Sequence, residues 1–305
     1  MYDIIIIGGG PAGLSCAIYA RRAGLSCIVI ERGFIGGQMT TTYSIENYPG
    51  IKQISGFDLA EAMRESAESL GCEFTEADVT EIRDLGEVKE VYMGEDKLSS
   101  KVIVLAMGAY RRKLGVNGED RFTGSGVSYC ATCDGNFFKD KNVTVVGGGN
   151  TALEDALYLS GFANKVTLMH RRDEFRGARH LSKLVLANDK IDVMYDTVLT
   201  DISGKFNVSA VTAQNVKTKE KTELPMDGVF IAVGTVPETG VVKGLVTLDE
   251  AGYILTDETL KTNIPGIFAA GDIRKKELRQ VVTAAADGAI AAHMAGRYIN
   301  EELSK

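Results

Sequence analysis

DIIIIGGGPAG at residues 3–13 and NVTVVGGGNTA at residues 142–152 decide the fold of this chain. Each stretch is a short run of mostly β-branched apolar residues that leads into a glycine cluster and then into a helical pattern. A second apolar run follows each helix, at Cys27–Glu31 and at Lys165–His170. Strand, tight turn, helix and strand in this order predict a parallel sheet with a right-handed crossover, and the chain contains this unit twice.

Later apolar runs indicate how the two units share the chain. Lys101–Gly108 and Gly228–Gly234 are both buried-strand patterns that end in glycine, and they repeat one another. Gly266–Asp272 is a third run of this kind and has no counterpart in the second unit. The first unit therefore receives an extra strand late in the chain, as happens when one domain is inserted into another.

We predict an α/β fold of two Rossmann-like dinucleotide-binding domains, one inserted into the other. The discontinuous domain would comprise residues 1–113 and 246–305, and the inserted domain would comprise residues 114–245. The chain would cross between the two domains near Arg111–Val116 and again near Glu238–Gly244.

Composition and charge restrict the class of protein. Apolar residues make up 45% and charged residues 25% of the 305 residues, as in soluble globular chains. The net charge of −7 disfavours nucleic acid and anionic membrane surfaces, which both attract basic proteins. The first apolar run follows Asp3 and ends at once in glycines, so we expect neither a signal peptide nor a membrane span. Five cysteines do not suggest a secreted disulfide scaffold, and we expect a cytoplasmic protein.

The first glycine cluster is a candidate dinucleotide site. In the pattern G-x-G-x-x-G, Gly8 makes the tight turn, Gly10 lets the backbone approach a pyrophosphate, and Gly13 lets the helix pack on the strand. Glu31 ends the next strand, where an acidic side chain accepts a hydrogen bond from a ribose hydroxyl and repels a 2′-phosphate. The site therefore suits NAD or the adenosine of FAD. The glycine-rich polar segment 36–50 is long enough to wrap an extended ligand.

The second glycine cluster repeats the fingerprint at Gly147, Gly149 and Ala152. The strand that follows ends in a basic cluster and not in an acid. Its members are His170, Arg171, Arg172, Arg176 and Arg179. Guanidinium groups bind a phosphate in bidentate fashion and stay charged, so the cluster predicts a pocket for the 2′-phosphate of NADPH. A solvated helix start with scattered arginines is the alternative, and Asp173 and Glu174 would partly neutralise the charge.

Cys130 and Cys133 form the C-x-x-C motif of the sequence, just before the second fingerprint. Two cysteines at this spacing suit a redox-active dithiol, in which nearby groups can lower the pKa of one thiol. Half of a zinc site and two structural thiols are the alternatives, and we predict no metal site. Asp134 follows directly and could exchange protons with a thiol, although an aspartate before glycine is also an ordinary turn former. The remaining cysteines are Cys16, Cys27 and Cys72, which we expect to be buried thiols.

Several motifs in one order resemble the low-molecular-weight bacterial thioredoxin reductases along essentially the whole chain. The motifs are GGGPAG (8–13), GGQMTTT (36–42), ENYPG (46–50), CATCDG (130–135), GGGNTA (147–152), HRRDEFR (170–176) and AAGD (269–272) with RQ at 279–280. The resemblance implies FAD in the discontinuous domain, NADPH in the inserted domain, a homodimer, and thioredoxin as the protein substrate. It implies that Cys133 faces the flavin, that Cys130 attacks thioredoxin, and that Asp134 is the general acid.

The resemblance and the motifs together predict the residues that bind the cofactors. In the discontinuous domain these are Gly8, Gly10, Pro11, Ala12, Gly13, Glu31, Arg32, Gly37, Gln38, Asn47, Val79, Gly108, Gly271, Asp272, Arg279, Gln280 and Val281. In the inserted domain they are Gly148, Gly149, Asn150, Thr151, His170, Arg171, Arg172, Arg176 and Gly234. One departure is Asp287, where relatives often have a small residue.

Three other functions fit parts of the pattern. A dithiol oxidase on the same fold would pass electrons to oxygen, and a reductase could serve a disulfide partner other than thioredoxin. A nucleotide-binding protein without catalysis is the third alternative, and the C-x-x-C disfavours it.

The position of the C-x-x-C predicts a domain movement. Cys130 and Cys133 belong to the domain of the second fingerprint, whereas the nicotinamide and the disulfide both have to reach the flavin of the other domain. The inserted domain must therefore rotate during turnover, and Gly115, Gly240 and Gly244 at the crossings can absorb the change in backbone conformation.

Overall fold

A computed structural model describes residues 1–42, 44–301 and 303. The strands are β1 (Tyr2–Ile7), β2 (Cys27–Glu31), β3 (Glu73–Glu76), β4 (Glu81–Asp84), β5 (Lys89–Met93), β6 (Asp96–Leu105), β7 (Ala109–Arg111), β8 (Val127–Ser128), β9 (Asn142–Val146), β10 (Lys165–Met169), β11 (Ile191–Met194), β12 (Thr197–Gly204), β13 (Val208–Asn215), β14 (Lys221–Pro225), β15 (Gly228–Ile231), β16 (Thr235–Pro237) and β17 (Ile267–Ala269). The α-helices are α1 (Pro11–Arg22), α2 (Gly56–Ser69), α3 (Glu119–Phe122), α4 (Ala131–Asp134), α5 (Asn150–Ser160), α6 (Arg179–Leu186) and α7 (Val281–Glu301).

The chain divides into two units, one made of residues 1–110 and 236–305 and the other of residues 111–235. The chain passes from one unit to the other within β7 and returns within β16, and these two strands form a short two-stranded sheet. The second change comes ten residues before the predicted boundary at 246. The physical reason is that Val242 and Val246 are buried in the core of the first unit, so the segment between them packs with that unit.

The first unit is built on a sheet with the strand order β3-β2-β1-β6-β5-β4, and β17 also pairs with β6. β1 lies parallel to β2 and to β6, and β17 lies parallel to β6. The predicted late strand of the discontinuous unit is therefore confirmed. Ile4–Ile7 is buried on both faces, which explains why this strand has an unbroken apolar run and not an alternating one. The antiparallel strands β4 and β5 were not predicted.

Two helices of the first unit approach one another closely. A Cβ atom on Gly288 of α7 would lie 2.1 Å from the carbonyl oxygen of Ala12 in α1, so glycine is required at this contact. Cys16 is completely buried in the same core. α7 is thereby packed against the helix that follows the first glycine cluster.

The second unit has a parallel sheet in the order β11-β10-β9-β15-β8. β9 pairs with β10 and with β15, as the repeated strand, helix and strand pattern predicts. An antiparallel sheet of β12, β13 and β14 was not predicted and packs its apolar side chains into a core with Phe122 and Val229. Among the described residues, no helix has both the length and the hydrophobicity that crossing a membrane requires.

Candidate active site

The first glycine loop connects β1 to α1. Gly8 has a φ of +106°, and a Cβ atom there would lie 2.4 Å from the carbonyl oxygen of Ala106. A Cβ on Gly13 would lie 1.9 Å from the carbonyl oxygen of Gly8, so the helix can only pack here with glycine. By contrast, a Cβ placed on Gly10 would meet no heavy atom of the described chain within 4 Å apart from its immediate neighbours along the chain. The loop therefore leaves open backbone at the helix N-terminus, which suits a phosphate.

Glu31 lies at the end of β2 and beside this loop. Its Oε2 accepts a hydrogen bond of 2.7 Å from the N–H of Gly9, and its Oε1 accepts one of 3.1 Å from the N–H of Gly33. A cleft of about 170 Å³ in the first unit is lined by residues that include Gly8, Glu31 and Val79. A carboxylate after a glycine loop of this kind can accept a hydrogen bond from a ribose hydroxyl, and its negative charge disfavours a 2′-phosphate.

Other predicted residues surround the same loop. A Cβ on Gly37 would lie 3.3 Å from Cα of Gly10, so the turn that begins at Gly37 and contains Gln38 adjoins the glycine loop. Arg32 also lines the cleft, but its guanidinium is paired with Glu238 at 3.0 Å and is largely exposed. Gly108 follows β6, and its carbonyl accepts a hydrogen bond of 3.1 Å from the N–H of Glu238.

The late segment also reaches α1. A Cβ on Gly271 would lie 2.9 Å from Cβ of Ala12, so the turn Gly271–Ile273, which contains Asp272, packs on the start of the helix after Pro11. Asn47 donates a hydrogen bond of 3.1 Å to Oε1 of Gln280. The Arg279 guanidinium lies 4.2 Å from the centre of the Tyr253 ring, and Val281 begins α7.

Asp287 forms a buried ionic network with this segment. It is 4% exposed and accepts hydrogen bonds from Nε of Arg274 (2.8 Å), Nη2 of Arg274 (2.9 Å), Nζ of Lys276 (2.8 Å) and the N–H of Gly271 (2.9 Å). Burial by itself would raise the pKa of Asp287, but the hydrogen bonds and charges of Arg274 and Lys276 hold it below its ordinary value. Asp287, the residue at which the sequence departs from the family pattern, is therefore paired with two cationic side chains.

The second glycine loop repeats the geometry of the first. A Cβ on Gly147 would lie 2.4 Å from the carbonyl oxygen of Ala232, and none of the described atoms lies within 4 Å of a Cβ on Gly149. Asn150 and Thr151 begin α5 next to it. A Cβ on Gly148 would lie 2.2 Å from Nδ1 of His170, so this imidazole packs directly on the loop.

His170 is 4% exposed, and none of the described residues supplies a hydrogen-bond partner for its Nε2. Burial lowers the pKa of His170, and the nearby charges of Arg176 and Arg172 lower it further, which outweighs the opposite effect of a hydrogen bond with the backbone of Glu174. A neutral, buried imidazole with an open nitrogen beside a glycine loop fits a site that a ligand completes.

The predicted arginines lie close to the same loop. The N–H groups of Arg176 and Gly177 donate to the carbonyl oxygen of Gly148 at 2.8 and 3.1 Å, and Oδ1 of Asn150 accepts from the N–H of Ala178 at 2.8 Å. These bonds bring the loop after β10 to the second fingerprint. The side chains of Arg171, Arg172 and Arg176 are exposed, as an anion-binding cluster requires. Gly234 follows β15, and its carbonyl accepts a hydrogen bond of 3.0 Å from the N–H of Arg112.

Cys130 and Cys133 form a disulfide, with their Cα atoms 5.3 Å apart, at the start of the one-turn helix α4. Asp134 ends this helix, and its Oδ2 accepts a hydrogen bond of 2.6 Å from the hydroxyl of Ser128. The same hydroxyl oxygen accepts a hydrogen bond of 3.1 Å from the N–H of Cys130. A carboxylate is thus held beside the disulfide by a serine that is 5% exposed.

The other cysteines are buried thiols, as predicted. Cys27 and Cys72 are neighbours, with their Sγ atoms 3.6 Å apart, and they are not bonded. Of the five cysteines, Cys130 and Cys133 therefore form the disulfide, and the three cysteines outside the C-x-x-C motif are thiols.

Comparisons with known proteins agree with this geometry. The family described as pyridine nucleotide-disulphide oxidoreductase matches residues 2–288. A thioredoxin reductase of Listeria innocua is 45% identical over 302 residues, which cover 99% of this chain and 95% of that protein. The crystal structure of a thioredoxin reductase from Streptococcus pyogenes is 48% identical, covers 98% of both chains, and superposes with a TM-score of 0.94. This chain belongs to the thioredoxin reductases.

A further solved thioredoxin reductase, from Lactococcus lactis in the form described as the FR conformation, is 44% identical and covers 99% of this chain and all of that one. Its TM-score is 0.68. Family membership establishes an NADPH-dependent disulfide oxidoreductase that uses FAD and NADPH, and it does not favour the dithiol oxidase. The residues fit these cofactors, because the strand after the first loop ends in the acid Glu31 and the segment after β10 carries exposed arginines.

Ser128 is the residue near the disulfide that sequence analysis missed. It lies two residues before Cys130, within SYCATCD, and its position in the sequence alone does not show that it bonds to Asp134. A serine two residues before a C-x-x-C-D motif is a signal that could have identified it.

Proposed function

We propose that this thioredoxin reductase transfers the electrons of NADPH, by way of FAD and the Cys130–Cys133 disulfide, to the disulfide of a thioredoxin. The observation that supports this most strongly is the disulfide with an adjacent, hydrogen-bonded Asp134, in the same unit as an arginine-rich dinucleotide loop. When bound, NADPH supplies a hydride, and FAD passes two electrons on to the disulfide.

The reduced dithiol performs two exchange steps. The Cys130 thiolate attacks the disulfide of the partner, so that one partner sulfur leaves as a thiolate and a mixed disulfide forms. The Cys133 thiolate then attacks Sγ of Cys130, which restores the Cys130–Cys133 disulfide and releases the second partner thiolate. Asp134 exchanges the protons that the thiols lose and gain, and Ser128 holds its carboxylate at the loop.

The cofactor assignments extend to the individual residues. We assign FAD to the discontinuous unit and NADPH to the inserted unit. The open backbone at Gly10 and the carboxylate of Glu31 support the first assignment, and Gly149, His170 and the exposed arginines support the second. The remaining predicted residues of each unit are proposed to line the same two sites.

Assembly and compartment are also proposals. The family resemblance supports a homodimer. The low cysteine count, five in 305 residues, supports a cytoplasmic compartment, because small secreted domains are typically rich in disulfides.

The test is NADPH oxidation by the purified holoenzyme with thioredoxins from the same cell, followed at 340 nm. We expect oxidation that depends on thioredoxin and on the intact disulfide. Oxidation of a small dithiol by oxygen without any need for NADPH, together with inactivity toward every thioredoxin of that cell, would overturn the proposal.

A further inference from the structure

A buried carboxylate connects the start of the inserted unit to the loop that carries the disulfide. Glu119, the first residue of α3, is 2% exposed. Its Oε1 accepts a hydrogen bond of 3.0 Å from the N–H of Leu114, and its Oε2 accepts bonds of 2.7 and 3.3 Å from the N–H groups of Gly115 and Val116. The carboxylate thus accepts the hydrogen bonds of three backbone N–H groups in a segment that has no regular secondary structure of its own.

The same carboxylate has a fourth donor. The Tyr129 hydroxyl donates a hydrogen bond of 2.7 Å to Oε1 of Glu119. Burial raises the pKa of Tyr129, and the hydrogen bond to Glu119 raises it further, so the phenol stays a donor at neutral pH. The Arg111 guanidinium lies 5.8 Å from the centre of the Tyr129 ring, within the range of a cation–π contact.

Tyr129 directly precedes Cys130 and lies outside strand β8 and helix α4. Its side chain packs in the same apolar cluster as Leu114 and Val116. The main chain that leads to the disulfide is therefore attached through one side chain to the segment by which the chain enters the unit. Ser128, the residue before it, anchors the other side of the loop to Asp134.

We propose that Glu119 and Tyr129 are positioning residues that fix the disulfide loop to residues 114–116. The link rests on the proposed function, because it acts on the dithiol that reduces the partner. Through this link Cys130 moves as one body with residues 114–116, so the Cys130 thiol reaches the disulfide of the partner protein in a defined position. Neither residue touches the reacting sulfur atoms in this role.

The test uses amide hydrogen exchange of the oxidised holoenzyme, measured by mass spectrometry, with Tyr129→Phe and Glu119→Gln. Loss of the phenol hydroxyl removes one hydrogen bond to a charged acceptor, so exchange at 130–134 should rise about ten- to a hundredfold in Tyr129→Phe. Glutamine keeps one acceptor oxygen but presents an amide donor on the other side. Glu119→Gln should therefore accelerate exchange at 114–116 and also at 130–134.

Tyr92→Phe is the matched control, because Tyr92 donates a 2.7 Å hydrogen bond to Glu90 in the other unit. It should leave exchange at both segments unchanged. In turnover, Tyr129→Phe should lower kcat for thioredoxin about tenfold with little change in KM, while flavin reduction by NADPH in a stopped-flow instrument keeps its rate.

Three outcomes would overturn the link. Exchange at 130–134 that is unchanged in both variants would do so, as would a Glu119→Gln effect confined to 114–116. An equal loss of both half-reactions in Tyr129→Phe would indicate a general structural role. If the unmodified protein fails to reduce thioredoxin, the proposed function falls, whereas the exchange measurement still decides whether the link exists.

Discussion

Removal of the Asp287 carboxylate should destabilise the first unit strongly. In Asp287→Ala, the guanidinium of Arg274 and the ammonium of Lys276 lose the group that accepts three of their hydrogen bonds. The side chains of Lys276 and Arg274 are only 8% and 18% exposed, so water cannot readily replace the carboxylate. Breaking a buried pair in this way costs about 3–5 kcal/mol, because it leaves uncompensated buried charge.

Thermal unfolding of the holoenzyme measures this cost. At about 2–4 °C per kcal/mol for a domain of this size, the melting temperature of Asp287→Ala should fall by roughly 6–20 °C. Glu301→Ala is the matched control on the same helix, because Glu301 pairs with Arg297 at the surface, and its cost should be below about 1 kcal/mol. Replacing all three charged residues by apolar ones of similar volume should cost less than Asp287→Ala, because no charge is then left unpaired and only the N–H of Gly271 loses its acceptor.

The network also predicts a dependence on pH. The pKa of Asp287 is lowered in the folded protein, whereas the pKa of an aspartate in the unfolded chain is about 3.9. Its contribution to stability is therefore present in full above that value and is lost as the pH falls through the folded pKa. Asp287→Asn should show a smaller loss of stability as the pH falls below about 4. A melting temperature of Asp287→Ala that stays within 2 °C of the control, with the same acid profile, would refute the reasoning.

Three further predictions concern turnover. The Arg171→Ala, Arg172→Ala double variant should bind NADPH about two to four decades more weakly and NADH almost unchanged, because two charge-assisted hydrogen bonds to the phosphate are lost; equal losses for both nucleotides in steady-state kinetics would contradict the phosphate pocket. Cys130→Ser and Cys133→Ser should each abolish thioredoxin reduction while NADPH still bleaches the flavin, and Cys133 left alone should give a long-wavelength thiolate–flavin absorbance; near-normal turnover in either variant would exclude this pair from catalysis. The inserted unit should rotate in each cycle on a microsecond-to-millisecond timescale, so an engineered disulfide that tethers the two units should permit either flavin reduction by NADPH or dithiol–flavin exchange, but not both, and full turnover of the tethered enzyme would rule the rotation out.

The two dinucleotide loops were predictable because their requirements are local. Gly8 and Gly13 are needed for contacts with backbone atoms that any strand–turn–helix of this kind makes, so the spacing of the glycines carries the information. Glu31 and the arginines were predicted in the same way, since Glu31 ends the strand after the first fingerprint and the arginines follow the end of β10. The C-x-x-C is equally local, because a disulfide between residues three apart depends little on the rest of the fold.

Short antiparallel strands were harder to predict. β12 and β13 mix polar with apolar residues and β14 is largely exposed, so their alternating pattern is weak and their pairing depends on the core beneath them. The second change between units was placed too late in the chain for a similar reason. The packing of Val242 and its neighbours in the core of the first unit assigns that segment to the first unit.

The sequence by itself determined the parallel α/β architecture, the two nucleotide loops, their charge and the redox pair. Only the tertiary structure decided what Glu119, Ser128 and Asp287 do. Each of these side chains bonds to groups whose position depends on the folding of other segments, and a polar residue with such a partner has no periodic or spacing signal of its own. The physical reason is that burial makes these hydrogen bonds obligatory only after the chain has folded, so they are specified by three-dimensional proximity and not by order along the chain.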